Sequence, residues 1–251
     1  METVNLSGGA AENFITPLDL TGGWPDDDAI VRAACLYDID QYDESLFGTL
    51  GVVKPEPLLR AVTKRKAEFL AGRYCAQRAL GRSGFTDCCV DIGLHRQPRW
   101  PAGMCGAISH ARQLAIAVVA REAEVDGVGV DVEDELTPEA MAQIQPLVVN
   151  SDEYPLLSNG SLSREQVVAL IYSTKESFFK AAFPLVRHYF DFDAISLLEI
   201  DFRKGACRFR INTSLHPLLR QGSCIQGQFG FPRVPGVATD NIATLVVLIR
   251  Q

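Results

Sequence analysis

The chain has 251 residues, a net charge of −7, 47% apolar residues and 22% charged ones. That profile fits a soluble globular protein large enough for one big domain or two modest ones. The acidic balance argues against a general nucleic-acid binder, and no stretch approaches the roughly 20 apolar residues that span a bilayer. No basic segment followed by an apolar one marks a secretory leader. Seven cysteines without paired CxxC spacing read as reduced thiols, so a cytoplasmic protein is expected.

In chain order, residues 1–25 mix Gly, Ser and Pro without period and read as an irregular arm. Residues 29–37 predict a strand, and 38–51 a loop or short helix. Pro55 to Leu80 predicts the first long helix, with Leu58, Val62, Phe69, Ala76 and Leu80 on one apolar face. Residues 87–94 read as a strand, and Arg96-Gln97-Pro98-Arg99-Trp100-Pro101 as a rigid Pro-rich turn. Ala107-Ile108-Ser109-His110 reads as a junction before an apolar strand, Leu114 to Ala120.

Gly127-Val128-Gly129-Val130-Asp131-Val132-Glu133 alternates like a strand with one buried face. Asp131 and Glu133 then leave from one side, roughly 7 Å apart at the backbone. Thr137 to Gln145 predicts a short helix stopped at Pro146, and 146–162 a mobile connector. Ser163-Arg164-Glu165-Gln166 has capping-box form and starts a helix expected to end before Pro184. Glu176 and Lys180 are surface neighbours on it, four apart. Residues 194–200, 206–211, 223–229 and 242–249 read as strands, punctuated by Lys204-Gly205 and Pro235-Gly236.

Charge is segregated. From Lys54 to Arg82 eight basic residues face only Glu56 and Glu68, whereas Glu122 to Glu153 carries acids and no Lys or Arg. One segment suits anions and the other cations, as a polyphosphate substrate with a magnesium ion requires. Taken singly, each motif has an ordinary reading: a solvated strand edge for Asp131 and Glu133, a helix-surface ion pair for Glu176 and Lys180, and a local turn contact for Ser109-His110.

Together, G-V-G-V-D-V-E and S-T-K-E-S-F-F-K resemble the signature of 4'-phosphopantetheinyl transferases of the Sfp/EntD class, at a fitting spacing. Lys64-Arg65-Lys66-Ala67-Glu68-Phe69-Leu70-Ala71-Gly72-Arg73 resembles the KRxxEFxAGR-like block of the EntD branch. The resemblance implies an α+β fold of two similar halves in pseudo-twofold arrangement, with the active site between them. The halves would be 1–125, with a basic helix binding coenzyme A, and 126–251, with the magnesium and catalytic residues.

It further implies transfer of 4'-phosphopantetheine from coenzyme A to a serine of an apo carrier protein. The setting would be siderophore or secondary-metabolite biosynthesis. Carried over, Arg65, Arg73, Arg96, Pro98, Ser109, His110, Lys175 and Lys180 bind coenzyme A, with Ser109 and His110 at its 3'-phosphate and Lys175 at its pyrophosphate. Asp131, Glu133 and Glu176 hold Mg²⁺, Glu176 is the candidate base, and Lys180 steadies the transferring phosphate. A monomer without stable membrane insertion is expected. The alternatives are a magnesium-dependent phosphohydrolase and a non-catalytic coenzyme A or carrier-binding module. A Ser-His-Asp hydrolase is disfavoured, since Ser109 lies in no G-x-S-x-G elbow.

Overall fold

A computed structural model describes residues 9–18, 20, 29–158, 160–232 and 241–250. They divide into two compact α+β units, one ending at Arg121 and the other starting at Glu122. Each consists of an antiparallel sheet carrying one long helix.

In the first unit, α1 (Gly9–Phe14) leads into β1 (Ile15–Leu18), which pairs with β2 (Val31–Tyr37). The expected irregular arm is therefore ordered over 9–18, while the rest of it, apart from Leu20, lies outside the described residues. Its Pro17 sits where a missing N–H does least harm, because β1 is the edge of a sheet ordered β1-β2-β6-β5. Phe14 and Ile15, both buried, pin the segment to the core. Next come α2 (Leu46–Thr49) and α3 (Thr63–Arg82). The long helix starts later than the apolar pattern suggests, after a separate turn at Glu56–Leu58, and Val62 is exposed at its N-cap.

The strand expected over 87–94 shrinks to β3 (Asp91–Ile92), paired with β4 (Pro98–Arg99). β5 (Met104–His110) takes in Ser109 and His110, which belong to a strand rather than to a junction, and pairs with β6 (Leu114–Arg121). α3 packs on β2, β5 and β6 through Leu70, Tyr74, Cys75 and Leu80.

The second unit begins with β7 (Val125–Asp134), edge strand of a sheet ordered β7-β11-β10-β9-β8. Its other strands are β8 (Ile195–Asp201), β9 (Ala206–Ile211), β10 (Cys224–Gly230) and β11 (Asn241–Ile249). The turn expected at Pro235-Gly236 lies outside the described residues. α4 (Pro138–Val148) runs through Pro146, and α5 (Arg164–Val186) runs through Pro184. Each proline lacks the N–H that would donate to the carbonyl four residues back, but only two helical residues follow it, so each helix ends just after its proline rather than before it. α5 opens with the expected Ser163–Gln166 capping box and closes at Arg187 in the left-handed region, φ 59°. The expected mobile connector contains Glu153, fully buried and bonded to three partners.

α5 lies directly on β7. A side chain at Gly129 would overlap the carbonyl oxygen of Ser177, and one at Gly127 that of Ala181. Ser177 and Ser173 complete the seat: Ser177 Oγ lies 2.7 Å and Ser173 Oγ 2.9 Å from Thr244 Oγ1. The obstruction at Gly129 is helix backbone, which cannot rotate aside. Gly129→Ala is therefore expected to cost about 3 kcal/mol or more of stability, measured as a lowered urea midpoint. An unchanged midpoint would contradict the packing.

Candidate active site

Alternation along β7 puts Asp131 and Glu133 on the face that carries Gly127 and Gly129, hence toward α5. On α5, Tyr172, Glu176 and Lys180 recur every fourth residue beside the Ser173, Ser177, Ala181 stripe that touches the sheet. Lys180 Nζ donates to Asp131 Oδ1 at 2.6 Å and to the Val130 carbonyl at 3.1 Å. Burial, then the charge of Asp131, pushes the Glu133 carboxyl up to about 8, with Glu176 and Asp134 adding and Lys180 opposing. Burial raises Glu176 as well; Lys180 opposes that rise and Asp131 adds to it. Three acids from a strand and a helix thus share one field, with a single ammonium among them.

Tyr172 belongs to this group, and sequence reasoning missed it. Burial raises its phenol, and Glu176, Glu133 and Asp131 each add to the rise. The available signal was its position one turn before Glu176. A cavity of about 330 Å³ opens beside Glu176, lined by Phe179, Tyr189, Phe190, Phe192 and neighbours. Phe179 stacks on Tyr189 at 5.7 Å and meets Phe190 at 5.1 Å. These aromatics converge from a helix and the segment after it, so no local period announces them.

Lys175 also borders that cavity, but its ammonium is turned to other partners. Its ammonium is buried, donating to Glu153 at 2.8 Å and to the Val148 carbonyl at 2.6 Å. Glu153 in turn accepts from the backbone N–H groups of Leu197 and Asn150. The pair ties α5 to α4, the connector and β8.

In the first unit, Arg65 and His110 come together, with Arg65 Nη1 3.2 Å from His110 Nε2, and Ser109 is buried one position back on β5. Arg73 is buried, donating to the carbonyls of Val90 at 2.8 Å and Asp91 at 3.2 Å over the Phe69 ring. Burial, then the Arg65 charge, lowers it to about 10. It braces the β3–β4 hairpin. At that hairpin's turn Arg96 is exposed with φ 65°, and Pro98 pairs with Ile92. Lys66, expected on an open basic face, is tied to Glu44 at 2.6 Å.

For a divalent cation the second unit's acids fit by donor type and charge. They are hard oxygens, and burial first of all raises the Glu133 and Glu176 carboxyls, so a bound cation would favour their ionised form. Among the described residues no three such side chains are gathered to hold an ion as they stand.

Residues 54–120 match the 4'-phosphopantetheinyl transferase N-terminal domain, and residues 127–227 the 4'-phosphopantetheinyl transferase superfamily. The chain belongs to the 4'-phosphopantetheinyl transferase superfamily. Among its relatives, enterobactin synthase component D of Salmonella typhi is 40% identical over 124 residues, 49% of this chain and 51% of that protein. 4'-Phosphopantetheinyl transferase PptT of Mycobacterium tuberculosis is 30% identical over 174 residues, 68% of this chain and 73% of that protein. 4'-Phosphopantetheinyl transferase Svp of Streptomyces mobaraensis is 36% identical over 141 residues, 55% and 56% of the two chains. The match thus spans about half the length of the enterobactin synthase component D relative.

Two outcomes follow. A carboxyl raised in the folded chain favours folding fully below its unfolded value of 4.5, and that contribution fades as pH climbs through about 8. Without metal, Glu133→Gln should therefore raise the melting temperature more at pH 8.5 than at pH 5; an equal effect at both would contradict the raised Glu133 carboxyl. Removing one partner of a buried ion pair strands the other, so Lys175→Ala should cost about 3–5 kcal/mol in urea unfolding. A weakened hold on coenzyme A at full stability would instead give Lys175 a ligand role.

Proposed function

We propose that this chain transfers 4'-phosphopantetheine from coenzyme A to a serine of an apo carrier protein, leaving adenosine 3',5'-bisphosphate. The observation that carries the reading is Lys180 paired to Asp131 beside two raised carboxyls, in a member of this superfamily. The first unit would supply the nucleotide's phosphate ligands, Arg65, Ser109 and His110, with Arg96 and Pro98 along the β3–β4 hairpin and Arg73 holding that hairpin. The second would supply the chemistry.

Asp131, Glu133 and Glu176 would hold Mg²⁺, which when bound supplies positive charge to the pyrophosphate and steadies the leaving group. Lys180, already amid those acids, would stabilise charge building on the transferring phosphate. Glu176, its carboxyl raised by burial, is closer to the range of a useful base than an exposed glutamate and would take the serine proton directly or through water. The aromatic cavity has Glu176 in its wall, so it would seat the apolar stretch of pantetheine next to the reacting phosphate. Lys175, placed in a buried pair, would reach the pyrophosphate only by leaving Glu153. No described helix is long and apolar enough to cross a membrane.

The direct test incubates the full chain with magnesium, coenzyme A and an apo carrier domain and reads the carrier by intact mass. A phosphopantetheine-sized gain is expected with wild type. Glu176→Gln should lose it by about a hundredfold or more while keeping the wild-type fold. Pantetheine phosphate released without carrier modification would replace transfer by hydrolysis.

A further inference from the structure

We propose that Glu68 is the positioning residue of the 3'-phosphate site, setting Arg65 and His110 in place without touching the substrate. Its carboxylate lies 3.6 Å from Arg65 Nη1, 3.8 Å from His110 Nε2 and 3.9 Å from Lys64 Nζ. It is the acid that three donor groups from two elements share, α3 giving Lys64 and Arg65, and β5 giving His110. The layering is the informative part. The Glu68 side chain is 12% exposed, whereas His110 is 31%, Arg65 52% and Lys64 69% exposed. The acid thus lies underneath, with the donors spread above it toward solvent.

An acid on top would compete with an incoming phosphate. An acid beneath does the opposite. It offsets repulsion between Lys64 and Arg65 and gives each long side chain a fixed point, so less rotamer freedom is lost when an anion arrives. It meets Arg65 at Nη1, and a guanidinium has five N–H donors, so Arg65 keeps donors for a phosphate. Helix spacing explains the fit: residue 68 lies one turn beyond 64 and 65, so its carboxyl returns to both. Glu68 has no place in a search for phosphate ligands, because its charge has the wrong sign; its role shows only in the depth of its burial.

The inference rests on the reading that Arg65 and His110 hold the 3'-phosphate, and the experiment separates the two. Full-length protein is titrated calorimetrically with coenzyme A and with 3'-dephospho-coenzyme A. Wild type should prefer coenzyme A. Glu68→Ala, and Glu68→Gln as the same-shape variant in case the alanine unfolds, should weaken coenzyme A about tenfold and leave the dephospho ligand unchanged. Glu68→Asp should recover part of the loss. A general structural defect would instead weaken both ligands alike and lower the melting temperature, which would overturn the proposal. If Arg65→Ala and His110→Ala narrow the preference while both Glu68 variants keep it, the positioning role alone fails. If those two leave the preference intact, the placement of the 3'-phosphate fails and the positioning role falls with it.

Discussion

Helix α5 and strand β7 meet backbone to backbone, because Gly127 and Gly129 leave nothing between them. The rest of the second unit follows from that approach. Two residues further along the same strand face, side chains return, and they are Asp131 and Glu133. They emerge under the flank of a helix whose next stripe carries Glu176 and Lys180. Proximity that buries an acid also raises its carboxyl, so the contact that seats the helix makes ionising Glu133 costly. Lys180 answers part of that cost, and a bound cation would answer the rest. The site is stable enough to exist because Ser173, Ser177 and Thr244 satisfy one another beneath the helix, and Lys175 with Glu153 anchors its other side.

The first unit solves the opposite electrostatic problem. Its donors face solvent above a submerged acid, while Arg73 is drawn inside to hold a hairpin. A phosphate group is strongly hydrated and must exchange water for donors quickly, which exposed cations allow. A carboxylate cluster meant for a small hard cation gains from burial, because low polarity strengthens each oxygen's hold once the ion is in place. Exposed cations in the first unit and more deeply buried acids in the second are therefore opposite arrangements, the one suited to anions and the other to a small cation.

What the sequence conveys, it conveys through local rules. Alternation of Val128, Val130 and Val132 specifies a strand, and Ser163 with Gln166 specifies a helix start, because neither depends on distant residues. The strand at Ile15 escapes notice because Gly, Ser and Pro around it dilute any period, and it is held by pairing with β2 and by the burial of Phe14 and Ile15. Pro146 and Pro184 mislead because each helix runs two residues past its proline, so the ring marks the end of the helix only approximately. At the site, residue type is legible and engagement is not. Arg73 and Lys175 look like free phosphate ligands until tertiary packing shows them inside, bonded to carbonyls and to Glu153. Tyr172 and the aromatics around Phe179 gain meaning only once the fold brings them to Glu176.

The contrast between Lys175 and Glu176 shows how a helix divides labour at a site. Adjacent residues point about 100° apart, so Lys175 and Glu176, although both border the aromatic cavity, send their charged ends to different partners. Here the lysine turns inward to a buried partner and the glutamate turns toward the acids and the aromatic cavity. The neighbour that is fixed inside restrains the rotation of the one that works outside. In the same way Gly129 is as much a part of the carboxylate site as Asp131, since any side chain there would push α5, and Glu176 with it, away from β7. A motif of alternating glycines, valines and acids is thus a single instruction: bring a helix this close, and let the acids meet it where the glycines stop.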